Sequence, residues 1–337
     1  MKSKLIFTEK FPNSTTLADH PVLIFDQFLL KNAATKTWIE TFPHRLGVRA
    51  GEELKQLKPF EKHFISILKL IEKTKTKNIT LVALGGGSLG DFAGFMASVF
   101  KRGVPLVHIP STWLAAIDSS HGGKTALNVG GYKNQMGTFY PANKIYLIKS
   151  LLLTQPQERV KDAMGEVLKT ILLEGGNLWK KTSGLSSFNE DALWKILPEL
   201  IKYKYKIVKK DPFETKGIRF FLNFGHTYGH VLESIHNLPH GVAVNYGLRL
   251  ALELSLKFNT LNLKSYQQIQ DSSLIQNHLI SKQEALRLLR KTPQLERQLR
   301  QDKKANHNST IRFVLLKDIG KPCVQEIKIN ALSELKK

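Results

Sequence analysis

Short apolar runs alternate with amphipathic stretches through the first half of the chain. VLIF at 22–25, ITLVALG at 79–85, LVHIP at 106–110 and IYLI at 145–148 are nearly continuous in apolar residues and bounded by turn residues. Runs of this kind predict strands buried on both faces, the habit of a parallel sheet covered by helices. Between the first two, EELKQLKPFEKHFISILKLIEKTK sets its apolar residues at helical spacing, which completes a strand–helix–strand rhythm. After about Thr154 the period changes. Helical spacing runs through 156–175, 189–210, 223–236, 241–257 and 283–291, and IRFVLL at 311–316 is the only later strand candidate. The pattern predicts an α/β N-terminal domain over 1–155 and a mostly α-helical C-terminal domain over 156–337, with the boundary at Gln155-Pro156.

Composition narrows the class. A chain of 337 residues exceeds one comfortable core, which agrees with two domains. The single cysteine, Cys323, excludes an internal disulfide. The N-terminal MKSKLIFTEKFPN has too short an apolar stretch for a secretory signal, and no apolar run would span a bilayer, so a cytoplasmic protein with no membrane partner is expected. The net charge of +22 raises nucleic-acid binding as a reading. The basic residues, however, are spread over 73–77, 202–210, 281–304 and the C-terminus, with no basic arm, zinc-finger spacing or aromatic RNA-binding pattern. A small, highly anionic substrate accounts for the charge equally well.

Candidate chemistry sits in three places. ITLVALGGGSLGDFAGFMASVF reads as strand, glycine turn and helix, with Gly85, Gly87 and Gly90 in G-x-G-x-x-G spacing. Such glycines let backbone approach a pyrophosphate at a helix N-terminus, as in a Rossmann-like domain. The acidic residue expected about 20 positions later is missing, since that region reads VPLVHIPSTW. Next, PSTWLAAIDSSHGGKTALNVGGYKNQMG gathers Asp118, Lys124, Lys133 and Asn134 among small residues, as a loop folded around a charged ligand would. Finally, NFGHTYGHVLESIHNLPHGVAV puts His226 and His230 on one helical face and His240 at the start of the next helix. Three imidazoles, or two with the carboxylate of Glu166 on an earlier helix, could bind a divalent metal; spacing does not choose between them.

Several motifs together resemble the 3-dehydroquinate synthase family, within the wider group of sugar-phosphate cyclases and glycerol-dehydrogenase-like enzymes. They are GGGSLGDFAGF, KRGVPLVHIPST, IDSSHGGKTALN, YKNQMGTFYP, GEVLKT, GIRFFLNFGHTYGH and HGVAV, in the family's order from about Asp26 to residues 302–304. The resemblance implies zinc or cobalt held by Glu166, His226 and His240, with His230 unligated near the substrate phosphate. It implies NAD against Gly85, Gly86, Gly87 and Asp91, with Asp26, Glu52 and Lys55 at the adenosine half and Ser111, Thr112, Lys133 and Thr154 at the rest. Asp118 and Asn134 would border the nicotinamide and the reacting carbons. Lys124, Asn223 and His230 would cradle the phosphate, with Arg102 reaching in from a partner subunit of a homodimer. Lys204, Arg219 and one of Lys303 and Lys304 would hold a substrate carboxylate, and Lys169 would stand near the ring hydroxyls. The active site would lie between the domains.

The implied reaction converts 3-deoxy-D-arabino-heptulosonate 7-phosphate to 3-dehydroquinate and phosphate by transient oxidation, elimination, reduction and aldol closure. Other readings are a different sugar-phosphate cyclase or a metal-dependent glycerol-type alcohol dehydrogenase. The chain departs from the family pattern at four places. Val242 stands where glutamate is common, and Thr215 falls four before Arg219 where an acid is expected, with Glu214 one place away. Lys149 replaces a usual aspartate, and His121 brings an unusual ring into the DSS-x-GGK loop.

Overall fold

The computed structural model describes residues 3–72, 78–301, 310–333 and 335. The chain divides into two compact units, Met1–Arg159 and Val160–Lys337. In the first unit the four expected buried runs are strands of one parallel sheet. The strands are β1 (Lys4–Thr8), β2 (Pro21–Asp26), β3 (Arg45–Val48), β4 (Thr80–Gly85), β5 (Leu106–Pro110) and, after a separate hairpin β6 (Lys124–Val129) and β7 (Tyr132–Phe139), β8 (Lys144–Ile148). The sheet order is β1-β8-β5-β4-β2-β3, with every neighbouring pair parallel. β1 and β3 are short and partly exposed, and so lack the continuous apolar run that marks the central strands.

From β2 the chain moves outward to β3, whereas from β4 it moves the other way to β5 and β8. The direction therefore reverses between β2 and β4, and such a switch point opens a crevice at the carboxyl ends of the two strands. Gly85 ends β4 and Asp26 ends β2, in adjacent register positions through Phe25 opposite Leu84. Helices of this unit with eight or more residues are α1 (Ala33–Glu40), α2 (Leu57–Glu72) and α3 (Gly87–Val99). The sheet packs on one side over Leu23, Phe25, Trp38, Phe42, Leu84 and Ile109.

The second unit carries α4 (Gln157–Glu174), α5 (Glu190–Lys210), α6 (His226–His236), α7 (His240–Lys257), α8 (Leu263–Gln270) and α9 (Lys282–Arg290), with a terminal hairpin of β9 (Thr310–Asp318) and β10 (Lys321–Lys328). Tyr228, Leu232, Leu250, Leu254, Phe313 and Leu315 form its core. β10 escapes the sequence pattern because its residues alternate in exposure and include Pro322 and four polar or charged positions. Two other expectations are corrected. The helix expected from Asn223 begins at His226: residues 219–223 form a 3-10 turn, and Gly225 adopts a left-handed φ of 80° that breaks the helix from it. The expected ligand loop over 110–137 contains the antiparallel pair β6–β7, concealed because β7 is polar and exposed and carries no apolar run.

Glycines set how closely the helices of this unit cross. A methyl group at Gly241 would lie 1.5 Å from the Asp162 carbonyl oxygen, and one at Gly165 would lie 2.1 Å from the Gly241 carbonyl oxygen. At the neighbouring crossing a methyl at Gly247 would meet the Gly225 carbonyl at 1.9 Å. α4, α6 and α7 therefore meet backbone to backbone at these points. A side chain at 241 forces the helices apart; Gly241→Ala should cost at least about 2–3 kcal/mol, whereas Gly184→Ala, with nothing within 4 Å of the added methyl, should stay within about 1 kcal/mol of wild type. Denaturant unfolding of the two variants side by side measures the contrast.

Candidate active site

The second unit builds a buried acid–imidazole cluster. Glu166 lies on α4 and is fully buried; His226 and His240 open α6 and α7. One ligand atom from each of the three lies within 4.8 Å of the others. The ring Nε2 atoms of His226 and His240 stand 3.3 Å and 3.6 Å from the same oxygen, Glu166 Oε1. The other ring nitrogens fix the tautomers. His226 Nδ1 faces the Phe224 carbonyl at 3.2 Å, and His240 Nδ1 faces Glu233 Oε2 at 2.9 Å. Both partners only accept, so each Nδ1 carries its proton and each Nε2 is left to share a cation, proton or metal, with the carboxylate.

Two imidazole Nε2 atoms and a carboxylate oxygen converging in a largely buried site form an electron-rich set that a cation, proton or metal, satisfies. Neither Glu166 oxygen has a hydrogen bond of regular geometry, although Lys169 forms an ion pair with Oε2. The donor set thus fits a divalent metal with nitrogen and oxygen ligands. The titration directions agree. Burial raises the Glu166 pKa, but Lys169 and the two histidines outweigh it and hold the carboxyl well below its usual range. Burial, with Lys169 nearby, lowers His226. For His240, burial is outweighed by the hydrogen bonds to Glu166 and Glu233, and its pKa is pushed up to about 10. A positive charge belongs there, whether proton or metal, and the two compete.

His230 stands apart from this set. It is exposed, with its ring centroid 5.4 Å from that of His226 and 6.3 Å from that of His240. Asn223 ends the 3-10 turn just before α6. Arg219 begins that turn and is buried, donating to the Pro212 carbonyl at 3.0 Å and pairing with Glu214 at 3.2 Å. The pairing agrees with a one-place slip of the expected acid: Glu214 adopts a left-handed φ of 59° and reaches Arg219 from the shifted position. Asp211, also buried, accepts from the backbone N–H of Lys216 and Arg219, which ties the loop back on itself. Burial opposes its ionisation, but backbone amides outweigh that and lower its pKa. Lys204 is buried on α5, which packs against the same turn. Lys303 and Lys304 lie outside the described residues.

The first unit gathers a different set. Gly85 ends β4, Gly86 caps α3 and Gly87 begins it, with the Gly85 carbonyl accepting from the Ser111 N–H at 2.9 Å. Thr112 lies against Gly86, where a methyl would meet its Cγ2 at 3.3 Å. Asp26 accepts from the Phe28 N–H at 3.1 Å, and Thr154 donates to the Leu151 carbonyl at 2.7 Å. Lys55 is buried, and its ammonium donates to Asp91 at 2.7 Å and to Asn134 Oδ1 at 2.6 Å. Asn128 joins this group, donating to Glu52 at 2.7 Å and accepting from the Asn134 N–H at 2.9 Å. Asp118 lies in a π-turn over Ala115–Ser119, Lys124 starts β6, and Lys133 is exposed on β7. Arg102 is exposed and has a left-handed φ of 66°, beside Lys101 at 47°.

Asn128, Glu233, Asp162 and Asp211 were not singled out in the sequence. Each acts by holding a neighbour: Asp162, for instance, accepts from the Gly241 N–H at 2.7 Å at the start of α7. The sequence signal of Asn128, Asp162 and Glu233 is a polar residue among apolar or small helix or strand positions, and that of Asp211 is an acid directly before a proline at a helix end. No acid follows the glycine turn at the usual spacing, but one ends the neighbouring strand. Asp26 precedes the turn in the chain and follows Phe25, the last residue of β2 paired with β4, a neighbourhood that linear spacing does not reveal.

A parallel sheet with a glycine turn at its switch point, joined in the chain to a helical unit bearing a Glu–His–His cluster, defines a dinucleotide-type fold combined with a metal-binding type of site. Comparison with known proteins agrees. The model of the 3-dehydroquinate synthase N-terminal domain matches residues 45–162 and that of the C-terminal domain matches 163–305. The chain belongs to the 3-dehydroquinate synthase family. It is 38% identical over 269 residues to the 3-dehydroquinate synthase of Leptospira interrogans serovar copenhageni, covering 78% of this chain and 72% of that one. A solved 2-deoxy-scyllo-inosose synthase, complexed with carbaglucose-6-phosphate, NAD+ and Co2+, shares the fold at a TM-score of 0.78 and 22% identity, over 98% of this chain and 95% of that one. So does the 2-epi-5-epi-valiolone synthase of Streptomyces hygroscopicus subsp. jinggangensis, solved with NAD+ and Zn2+, at 0.78 and 19% identity over 99% and 96%.

The Lys55 tie yields a prediction with a definite pH sign. Burial raises the Asp91 pKa and Lys55 opposes the rise. Lys55→Met removes that opposition and should cost about 2–4 kcal/mol near neutral pH. A carboxyl whose folded pKa exceeds its unfolded value is best tolerated in acid, and its penalty grows as pH rises through the folded value. The deficit of Lys55→Met against wild type should therefore shrink in denaturant unfolding as pH falls toward 5.

Proposed function

We propose that the protein converts 3-deoxy-D-arabino-heptulosonate 7-phosphate to 3-dehydroquinate and inorganic phosphate, a phosphate-eliminating carbon–oxygen lyase reaction with NAD and a divalent metal, zinc or cobalt, as cofactors. The observation that carries the reading is the convergence of His226 and His240 on one buried oxygen of Glu166, in a chain of this family. Bound NAD supplies a temporary hydride acceptor, and the metal supplies Lewis acidity toward substrate oxygens.

The chain's own residues are assigned the remaining work. Glu166, His226 and His240 hold the metal, while Glu233 and the Phe224 carbonyl orient the two rings. Lys169, paired with Glu166, offers a cation toward ring hydroxyls. Gly85, Gly86, Gly87 and Asp91, with Asp26, Glu52, Lys55, Ser111, Thr112, Lys133 and Thr154, form the dinucleotide site, and Asp118 and Asn134 border its nicotinamide end. Lys124, Asn223 and His230 receive the phosphate, and an exposed imidazole beside the metal set is placed to exchange a proton with it. Lys204, Arg219 and one of Lys303 and Lys304 bind the carboxylate. Arg219 suits this task because Glu214, Asp211 and the Pro212 carbonyl hold the guanidinium and its loop in place. Carbocycle-forming relatives whose substrates lack a carboxylate would have no use for that arrangement.

A homodimer is part of the proposal. β7 is exposed along nearly its whole length, with Tyr132 71% exposed, and Arg102 is displayed on a run of left-handed residues. An exposed strand edge is a ready surface for a second chain.

The decisive assay supplies purified protein with zinc, NAD and the heptulosonate phosphate. Phosphate should be released without net NADH, from a species that sediments at twice 38.1 kDa. Accumulating NADH without phosphate would instead identify a dehydrogenase. Among variants, Glu166→Ala and His240→Ala should lose bound metal by elemental analysis. His230→Ala should retain metal and lose about 100-fold or more in kcat; zinc loss in His230→Ala would overturn the ligand assignment.

A further inference from the structure

The π-turn that carries Asp118 has an irregular end. Its characteristic bond runs from the Ser120 N–H to the Ala115 carbonyl at 3.1 Å. Continuing that pattern would give the Ala116 carbonyl the N–H of His121. That N–H goes instead to the Asp118 carbonyl at 3.1 Å, and the His121 side chain takes its place: ring Nε2 meets the Ala116 carbonyl oxygen at 2.7 Å. A carbonyl only accepts, so Nε2 is the protonated nitrogen. The ring is 2% exposed and substitutes for a backbone donor inside the protein.

The surroundings leave little slack. Gly122 and Gly123 follow with left-handed φ of 91° and 70°, and a methyl at Gly123 would lie 2.8 Å from Pro141 N. The Gly123 carbonyl accepts from the Tyr140 N–H at 2.7 Å, fixing the segment to the far end of the β6–β7 pair. On the other side, a methyl at Gly87 would meet Ser119 Oγ at 3.0 Å, so the turn rests against the first residue of α3. His121 is the joint between a fixed strand and a turn that touches the glycine-rich helix start.

We infer that His121 is a positioning residue, whose Nε2–H holds the Ala115–Ser119 turn in its π form and so sets Asp118 and Ser119 against the dinucleotide site. Without that donor the Ala116 carbonyl is left buried and unpaired, a cost relieved when the turn tightens to the α form and the Ser120 N–H serves it. Tightening removes one residue's worth of widening and rotates Asp118 and Ser119 relative to α3. A misplacement of about 1 Å near reacting atoms is enough to reduce a rate by about 100-fold. The inference rests on the proposed NAD-dependent reading, which it deepens.

The test compares His121→Gln, whose side-chain amide nitrogen can stand where Nε2 stands, with His121→Met, of similar shape but without a donor. His121→Met should weaken NAD binding about tenfold or more in calorimetry and lower kcat for phosphate release by about 10- to 100-fold, with metal content unchanged. His121→Gln should stay within about threefold of wild type on both measures. In the wild-type protein, 15N-histidine NMR should show one imidazole, absent from His121→Gln, locked as the Nε2–H tautomer with a slowly exchanging proton. Equal impairment in the two variants, loss of thermal stability without a kinetic difference, or an Nδ1–H tautomer overturns the inference. Should His121→Met fail to fold, a tenfold loss of NAD affinity in His121→Gln overturns it as well. A wild type that binds no NAD overturns the proposed function and the inference together, whereas equally tight NAD binding by wild type and His121→Met overturns the inference alone.

Discussion

A buried carboxylate between two imidazoles can exist only if helices are pressed together closely enough to enclose it. The backbone contact of α4 with α7 meets that condition. With Gly165 and Gly241 at the crossing, Glu166 and His240 are each one residue from the contact, so their side chains emerge on neighbouring paths. The Asp162 carboxylate then accepts the Gly241 N–H, which satisfies one of the free donors at the start of α7 and fixes where His240 begins. The crossing of α7 with α6 at Gly225 and Gly247 does the same for His226. Metal binding and helix packing are therefore one constraint in this unit. The three side chains converge because small residues let the backbones touch, and Lys169 supplies a positive charge at the other oxygen of the carboxylate.

The first unit solves a different problem with charge. Lys55 would be costly to bury alone, and its ammonium is surrounded by Asp91, Asn134 and, at 3.8 Å, Glu52. These groups come from α3, from β7 and from the turn before α2, so the pairings cross-link three elements around the glycine turn. Asn134 accepts the strained left-handed φ of 56° because Lys55 and Asn128 hold both its side chain and its backbone. In the sequence Lys55 and Asp91 read only as prospective cofactor contacts. The structure adds that they are partners of each other, so any contact with a ligand is made by groups already oriented.

Much of the architecture was legible because burial leaves a periodic trace. The central strands are apolar throughout, α2, α4, α5 and α9 keep helical spacing, and the change of period near Thr154 falls close to the division at Arg159–Val160. β1, β3 and β10 left no such trace, since edge strands and exposed hairpins carry polar residues on their open sides. The helix start at His226 was displaced by three residues in the reading because Asn223 looks like a cap, whereas the left-handed Gly225 does the breaking. At the site, histidine spacing alone left the ligand set open. Family likeness implies His226 and His240 rather than His230, and in the fold those two, at the first residues of α6 and α7, stand with Glu166 while His230 is exposed.

The displaced acid before Arg219 shows why such a site survives small changes in the chain. Moving an acid by one residue would, in a helix or strand, rotate it away from its partner. Here the segment is a loop anchored at both ends of its own polar network, with Asp211 gripping the N–H groups of Lys216 and Arg219. The segment changes direction at the left-handed Glu214 and at Gly217, with φ of 73°. The guanidinium has its carboxylate partner at 3.2 Å although that acid stands five residues before it rather than four. What the site requires of this stretch is a buried guanidinium with fixed neighbours, and a loop can deliver that from more than one register.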